Sequence, residues 1–211
     1  MKKLIFVLTL GLVLGLVSSA FATEPLLSVI LNTIYGAVNY VPILDSSDQL
    51  WNSTTAGNAY AEAKFASWPQ TFGYIDSALV FHALMGPVTG SNYLYGSPSA
   101  SFSAILGTFQ LADQAKKNAT TTYTWGSLPS YNTDGLDHMR TYRITGNASK
   151  PANVIGDYVI GWEDTLGGGD KDYQDFVVQI HGLAPVPEPT SMLLLGMGIL
   201  GLLGIKRRKV I

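Results

Sequence analysis

The sequence predicts an all-β protein: an antiparallel β-sandwich or jelly-roll-like domain with a short N-terminal helix. Short runs rich in β-branched and aromatic residues alternate with turns rich in Gly, Pro and Asn. A helical period is weak after residue 40. The chain has 0 Cys, which excludes disulfides, thiol chemistry and zinc-thiolate sites. Packing, with or without a bound metal, must hold the fold together.

The N-terminal end has the pattern of a secretory signal peptide. Two lysines open the chain, residues 4–17 are almost wholly apolar, and Ala20 and Ala22 form a small-x-small cleavage site. We expect cleavage after Ala22, which makes residues 1–22 the signal. An uncleaved anchor is the alternative, but the apolar run is short for a bilayer span of about 20 residues.

The C-terminal end has the pattern of a single membrane-spanning sorting helix. Pro187, Glu188 and Pro189 precede an apolar, Gly-rich run at 192–205 and a basic cluster at 206–209. A hydrophobic stretch followed by basic residues is typical of a stop-transfer segment whose tail stays in the cytoplasm. Because this run is short and interrupted by glycines, we expect transient rather than permanent insertion.

These ends delimit four parts: a signal peptide at 1–22, a helix and connector at 23–55, a β-sandwich domain at 56–182 and a sorting segment at 183–211. Six of the 13 Lys and Arg residues and one of the 15 Asp and Glu residues lie in the two end segments. The part between them therefore has 7 basic and 14 acidic residues, a net charge of −7. This balance argues against nucleic acid as a partner.

Residues 26–34 carry Leu and Ile at helical spacing, which predicts a short amphipathic helix ending near Gly36.

After this helix the sequence predicts loops and strands. Residues 41–55 form a turn-rich connector, and residues 90–101 form a loop. His82 lies in an apolar run and is predicted to be a core residue. Gly86–Pro87 is expected to end one strand. Strand patterns occur at 71–75, 77–85, 102–111 (broken at Gly107), 120–126, 138–145, 159–162 and 176–180.

The last two strands flank the most charged stretch of the chain. Residues 157–180 contain six carboxylates and one cation, Lys171, and three adjacent glycines at 167–169 allow the backbone to turn back. We expect a β-hairpin with the acids crowded at its exposed tip. Such crowding is unfavourable unless water, hydrogen bonds or a cation compensates it.

Calcium is the cofactor that this pattern predicts, because Ca²⁺ takes six to eight oxygen ligands from carboxylates, carbonyls and water. The spacing differs from that of an EF-hand. The alternative, that the acids cap turns and keep the hairpin soluble, stays open. The predicted metal ligands are Glu163, Asp164, Asp170, Asp172 and Asp175.

Two other functions deserve comparison with a calcium-stabilised structural domain. Glycoside hydrolysis would need a pair such as Glu163 with Asp170, or Asp137 with His138. The acids, however, are expected to be too exposed and too charge-dense for selective pKa elevation, so we predict no enzyme and no catalytic residue. A lectin-like module would instead stack sugars on aromatic rings in or beside loops, here Tyr93, Tyr95, Tyr123, Trp125 and Tyr131.

The C-terminal end resembles the PEP-CTERM sorting signal of bacterial exported proteins, with Pro187-Glu188-Pro189, an apolar helix and a basic end in that order. This resemblance implies processing by an exosortase, a membrane-embedded enzyme that recognises the Pro-Glu-Pro motif. It also implies transient insertion in the inner membrane of a Gram-negative bacterium. Release to the cell surface or to an exopolysaccharide matrix, commonly of a biofilm, would follow.

The acidic hairpin resembles a bacterial extracellular domain of unknown function, number 4114, whose usual hallmark is F-E-D followed by G-G-D-x-D-Y/F-N-D. Residues 162–164 and 168–175 carry the match, and Asp137-His138 and residues 72–76 are similar to further landmarks, so the likeness spans about 56–180. Trp162 stands where Phe is usual and keeps an aromatic anchor. Gln174 stands where Asn is usual, which weakens the metal hypothesis because the shorter amide could contact a cation. The family implies no established reaction.

Overall fold

The computed structural model describes residues 24–146, 155–186 and Met197. The predicted signal peptide and its cleavage site lie outside the described residues. So do Pro187, Glu188, Pro189 and, apart from Met197, the predicted sorting helix at 192–205. Within the ranges that are described, no helix is long and apolar enough to cross a membrane. The described part is an all-β domain with one short α-helix, as the sequence predicts.

The helix, α1, spans Leu27–Tyr35. Gly36 follows it with a φ of +86°, a left-handed conformation that glycine adopts without a Cβ clash. Its N–H donates to the carbonyl of Asn32 (3.0 Å), so one carbonyl of the last turn is satisfied. Ile30, Leu31 and Ile34 are fully buried, which confirms the apolar stripe predicted from their spacing.

The described residues form eleven strands, and all of their pairings are antiparallel. They are β1 (Tyr40–Pro42), β2 (Trp51–Lys64), β3 (Gln70–Ile75), β4 (Phe81–Val88), β5 (Asn92–Tyr93), β6 (Ser99–Phe102), β7 (Thr108–Lys116), β8 (Thr122–Gly126), β9 (Met139–Ile144), β10 (Tyr158–Trp162) and β11 (Phe176–Pro185). Short 3-10 helices occur at Asp45–Ser47 and Pro129–Tyr131.

The strands form two sheets. The first has the order β1-β9-β10-β11-β2, and the short strands β5 and β6 also pair with β2. In the second sheet β7 pairs with β3 and β8, and β3 pairs with β4. The two sheets join where Trp51 and Asn52 of β2 pair with Phe109 and Thr108 of β7.

Both faces of the first sheet are covered. On one face, Phe176 and Val178 of β11 join Phe72 and Leu111 of the second sheet in the main apolar core. Val177, between them, points to the opposite face and packs with α1 in a second cluster. This alternation follows the two-residue period of a strand. The helix therefore covers the β core, as its amphipathic pattern predicts.

Several predicted boundaries are wrong. The β4 strand continues through Gly86–Pro87, because β4 pairs with β3 alone and ends the strand order. Proline is tolerated on such an edge, where no ladder hydrogen bond is lost. The predicted connector at 41–55 contains β1 and the start of β2, and the predicted loop at 90–101 contains β5 and most of β6. The strand expected from residue 102 is interrupted, and β7 begins after Gly107.

His82 is not a core residue. Its side chain is 41% exposed, and Nε2 lies 2.8 Å from Asp76 Oδ2. The ring stacks on Tyr74 of the neighbouring strand. An edge strand buries its side chains less completely than a central one, which the apolar neighbours of His82 in the sequence do not reveal.

Candidate cation site at the end of the last hairpin

The last hairpin brings all five predicted metal ligands into one loop. Strands β10 and β11 pair from Tyr158 opposite Ile180 to Trp162 opposite Phe176. The loop between them, residues 163–175, begins immediately after the Trp162–Phe176 pair. We call it the acidic loop. It contains all five predicted ligands: Glu163, Asp164, Asp170, Asp172 and Asp175.

The acids do not gather at an exposed tip. Glu163 is 2% and Asp164 4% exposed, whereas Asp170 is exposed and Asp172 and Asp175 are intermediate. Glu163 is buried because the strand pairing continues past Trp162: its N–H donates to the carbonyl of His138 (2.9 Å). The expectation of an exposed cluster is therefore wrong for the two acids at the start of the loop.

The glycines fold the loop back over Glu163. Gly167, Gly168 and Gly169 all have positive φ, and the N–H of Gly167 donates to Asp134 Oδ2 (2.7 Å). A Cβ on Gly169 would lie 2.1 Å from Glu163 Oε1. Only glycine permits this close approach without displacing the carboxylate.

Two groups of carboxylates result from this fold. Glu163, Asp164 and Asp175 form the inner group, and Glu163, Asp170 and Asp172 form the outer group. In each group the potential ligand oxygens lie within 4.8 Å of one another. Oxygens at 2.3–2.6 Å from a common cation lie at most about 4.6–5.2 Å apart, so each group is compact enough to share one cation.

Burial raises the pKa values of Glu163 and Asp175. It raises the pKa of Glu163 to about 7, with the charges of Asp170 and Asp172 adding to the effect. Burial also raises the pKa of Asp175 to about 9, with the charge of Asp164 as the next contribution. The premise that these acids are too exposed for selective pKa elevation is thus wrong.

The inner group is fixed by Gln70 of the second sheet and by contacts within the acidic loop. Asp164 Oδ2 accepts a hydrogen bond from Gln70 Nε2 (2.5 Å), and its Oδ1 accepts one from Thr165 Oγ1 (3.0 Å). The N–H of Asp164 donates to Asp175 Oδ2 (2.7 Å). Burial, the largest effect, raises the pKa of Asp164. These contacts position Asp164 and Asp175 across the base of the loop.

Sequence reasoning missed two buried charges beside the inner group. Lys64 of β2 and Asp113 of β7 are both 0% exposed. Lys64 Nζ contacts the carbonyls of Ala66 and Gly90, and burial lowers its pKa despite the attraction of Asp164 and Asp113. Neither oxygen of the Asp113 carboxyl has a hydrogen-bond partner in the described part of the chain. The only sequence signal was a charged residue among small and apolar neighbours in each strand.

His138 and Trp125 form a wall of the site. The Nδ1 of His138 lies 2.8 Å from the carbonyl oxygen of Glu163, and Nε2 lies 3.0 Å from Asp134 Oδ2. Its ring stacks on Trp125 at 3.8 Å between centroids, and Trp125 Nε1 donates to the carbonyl of Asp164 (2.9 Å). The Asp137–His138 pair considered for hydrolysis does not form, because the side chain of Asp137 accepts from Arg140 instead (2.6 Å).

Gln174 contacts the outer group despite being longer than the Asn of the usual hallmark. Its Nε2 donates to Asp172 Oδ2 (2.6 Å) and to Glu24 Oε2 (3.0 Å). Gln174 is 2% exposed, and its Oε1 is buried without a hydrogen-bond partner among the described residues. An amide carbonyl of this kind is a suitable calcium ligand. The length of Gln174 therefore does not remove its amide from the site.

The aromatic side chains considered for sugar stacking lie mostly in packed positions. Trp125 is 1% exposed, and Tyr93, Tyr123 and Tyr131 are intermediate. Tyr123 stacks on Trp125, and Tyr93 contacts the helix-side core. Tyr95, stacked on Tyr93, is 52% exposed. These rings therefore serve mainly as packing.

The two groups could hold a hard cation. Within the described ranges, the grouped side chains that could hold a metal are all carboxylates. Oxygen-only donor sets suit Ca²⁺, Mg²⁺ or Mn²⁺ rather than zinc or copper. If a metal binds here, an irregular loop with more carboxylates than magnesium usually takes would suit calcium.

Comparison with known families agrees with both resemblances. Residues 101–182 match the family described as "Domain of unknown function (DUF4114)", and residues 185–209 match the PEP-CTERM protein-sorting motif. The first match includes the acidic loop but begins after the similar stretch at 72–76. No curated protein and no solved structure matches the chain. The sorting motif supports an exported protein that an exosortase processes and that is anchored in a membrane beforehand.

Proposed function

We propose that this chain is a non-enzymatic structural protein of the cell surface or the extracellular matrix, whose β-domain is stabilised by calcium at the acidic loop. Residues 192–205 hold it transiently in the inner membrane of a Gram-negative bacterium. An exosortase then processes it near Pro187-Glu188-Pro189. Exopolysaccharide or another matrix component is the partner at its destination.

Delivery is the better supported half of this proposal. The match to the sorting motif covers the Pro-Glu-Pro segment, the apolar run and the basic cluster together. The described β-domain ends with Val186, whose N–H donates to the carbonyl of Leu50 (2.7 Å). The strand β11 extends to Pro185, three residues into the predicted sorting segment at 183–211. The Pro-Glu-Pro motif follows shortly after this strand, so cleavage at the motif would not remove a strand of either sheet.

The buried carboxyl group of Glu163 is the observation that carries the calcium proposal. Its Oε2 has no hydrogen-bond partner in the described ranges, although four more carboxylates surround it. A carboxylate oxygen that is buried without a partner is costly, and the charges of its neighbours increase the cost. A bound divalent cation provides the missing charge and the missing contacts at once.

The same burial argues for a structural role rather than hydrolysis. A general acid must come within hydrogen-bond reach of the glycosidic oxygen, and Glu163 is 2% exposed. The nearby surface cavity of about 430 Å³ is lined by Asp172, Tyr173 and Arg140, among others, but not by Glu163. The raised pKa of Glu163 thus reflects an enclosed site more than a prepared acid. A lectin role has weaker support, because most of the candidate rings are packed.

Mass spectrometry of the exported protein tests the delivery proposal. We expect peptides that end near Pro187 and no peptides from 192–211. Glu188→Gln should leave the full-length form in the membrane fraction. Exported material that retains the intact C-terminal tail would overturn exosortase processing.

Thermal unfolding of the exported protein tests the calcium proposal. Calcium added after chelation should raise the melting temperature, and Asp170→Asn combined with Asp172→Asn should reduce the rise. Asp76→Asn is the matched control, because that acid lies on the surface beside His82, and it should keep the full calcium response. An unchanged melting temperature of the unmutated protein would contradict calcium stabilisation.

A further inference from the structure

The acidic loop contains more ligand groups than one cation needs. The inner and outer groups share Glu163 and otherwise use different carboxylates. We infer that the loop binds two divalent cations bridged by the Glu163 carboxylate, one in each group. This inference rests on the proposed calcium site and extends it to a second ion.

The inner group is suited to a buried ion. Glu163 and Asp164 leave the end of β10, and Asp175 precedes the start of β11, so rigid strands hold all three. Their backbone is fixed as well: the carbonyl of Glu163 contacts His138, and the carbonyl of Asp175 accepts the N–H of Phe65 (3.2 Å). With this framework in place, an inner ion needs little reorganisation of the protein.

The outer group is suited to a more exposed ion. Asp170 and Asp172 come from the glycine-rich part of the loop and reach Glu163 because Gly169 packs against its carboxylate. The buried Gln174 places its amide against Asp172, and its unpartnered Oε1 is an additional neutral ligand. Water can complete the coordination on the exposed side of Asp170.

The charges also favour two ions. The acidic loop contains five carboxylates and Lys171, and the buried Asp113 and Lys64 add one charge of each sign. The net charge is therefore −4 with every group ionised. One divalent cation leaves −2 on these groups, and Asp134 and Glu24, which accept hydrogen bonds from Gly167 and Gln174 of the loop, add further negative charge. A second cation offsets this remaining charge. Uncompensated charge near buried groups is unfavourable. A second ion therefore lowers the electrostatic repulsion that remains after one ion has bound.

The stoichiometry of bound calcium decides between these cases. Metal-free exported protein is dialysed against buffered ⁴⁵Ca²⁺, and bound ions per chain are counted at saturation. Two ions support the inference. One ion overturns it and leaves the calcium proposal intact, whereas none overturns both.

Single substitutions assign the ions to the two groups. Asp175→Asn alters the inner group and Asp170→Asn the outer group, so each variant should retain one ion. Glu163→Gln should lower the affinity for both ions by at least about 10-fold, because it removes the charge of the shared ligand. Asp76→Asn should retain two. Circular dichroism identifies any variant that does not fold. If Asp175→Asn or Glu163→Gln fails to fold, the numbers of calcium ions bound by the unmutated protein and by Asp170→Asn test the inference. An Asp170→Asn protein that loses both ions, or keeps two, contradicts the assignment.

Discussion

The two ends of the last hairpin bury carboxylates in different ways. At one end, Asp157 is 4% exposed, and each of its oxygens has a partner: His181 Nδ1 at 2.7 Å and Gln179 Nε2 at 2.9 Å. At the other end, Glu163 is 2% exposed, has one oxygen unpartnered, and lies among other acids. The same two strands thus carry a satisfied carboxylate and an unsatisfied group.

The difference separates an acid that stabilises by itself from acids that need a ligand. Hydrogen bonds from His181 and Gln179 lower the pKa of Asp157, which burial raises, and the net shift is upward. In the acidic loop, hydrogen bonds also lower the pKa values of Glu163 and Asp175, but burial and the neighbouring negative charges raise them further. We therefore expect substitutions at Asp157 to act independently of calcium, and changes around Glu163 to depend on it.

The largest expected effect is the pH dependence of the calcium-free protein. Glu163 and Asp175 have pKa values raised from 4.5 to about 7 and from 3.8 to about 9. Because these folded-state values lie above those of the unfolded chain, the stabilisation by bound protons is complete below about pH 4. It is lost as the pH rises through 7 and then 9. Chelator-treated protein should therefore melt at falling temperatures from pH 5 to pH 9.

Excess calcium should suppress most of this decline, because the ions replace the protons. Calorimetry at several pH values, with and without calcium, measures the melting temperature as a function of pH. Identical pH profiles in both conditions would show that calcium does not occupy the acidic loop.

Removing the wall of the site should have the next largest effect. Trp125→Ala deletes a ring that is 1% exposed and a hydrogen bond to the carbonyl of Asp164. We expect a loss of about 3–5 kcal/mol in the free energy of unfolding and weaker calcium binding. Trp68→Ala, which removes a partly buried ring, is the control. Denaturant titration measures the free energy of unfolding of both variants. Equal losses would contradict the claim that Trp125 contributes more to stability than the partly buried Trp68.

Asp157→Ala should have an intermediate effect. The substitution leaves the amide of Gln179 buried with one contact fewer, which typically costs about 1–3 kcal/mol. The loss should be the same with calcium and with chelator, in contrast to the loss caused by Glu163→Gln. Urea titration in both conditions gives the comparison, and a calcium-dependent loss at Asp157 would remove the distinction between the two ends.

The smallest effect is expected for the exposed Asp76–His82 pair. Surface ion pairs gain little, because water already solvates both groups. Asp76→Asn removes the charge but keeps an oxygen that can accept the N–H groups of Ala78 and Val80, so it should leave the melting temperature nearly unchanged and the calcium response intact. A decrease as large as that of Asp157→Ala would show that partner geometry, not burial, decides the value of these pairs.

Local patterns predicted the elements of the fold well. The spacing of Leu and Ile gave the helix up to Gly36, and alternating residues gave the hairpin of β10 and β11. The predicted strand boundaries were wrong at an edge strand, where proline is tolerated: β4 continues through Gly86–Pro87, which was predicted to end it. Pattern alone does not state whether a strand has one neighbour or two.

For the site, the sequence predicted the ligand candidates but not their surroundings. All five acids lie in the acidic loop, because adjacent residues of one hairpin cannot separate far. The burial of Glu163 depends on His138 from β9, and the inner charges include Lys64 from β2 and Asp113 from β7. Such contacts join residues far apart along the chain, and they arise only from the order of strands in the sheets.

The direction of β11 determines how the β-domain would be oriented relative to its point of attachment. The strand starts beside the acidic loop at Phe176 and runs to Pro185, about 30 Å at 3.3 Å per residue. The sorting segment continues from the far end. A chain held by that segment would therefore present the acidic loop at the pole distant from its attachment, with β11 as a rigid spacer between the two.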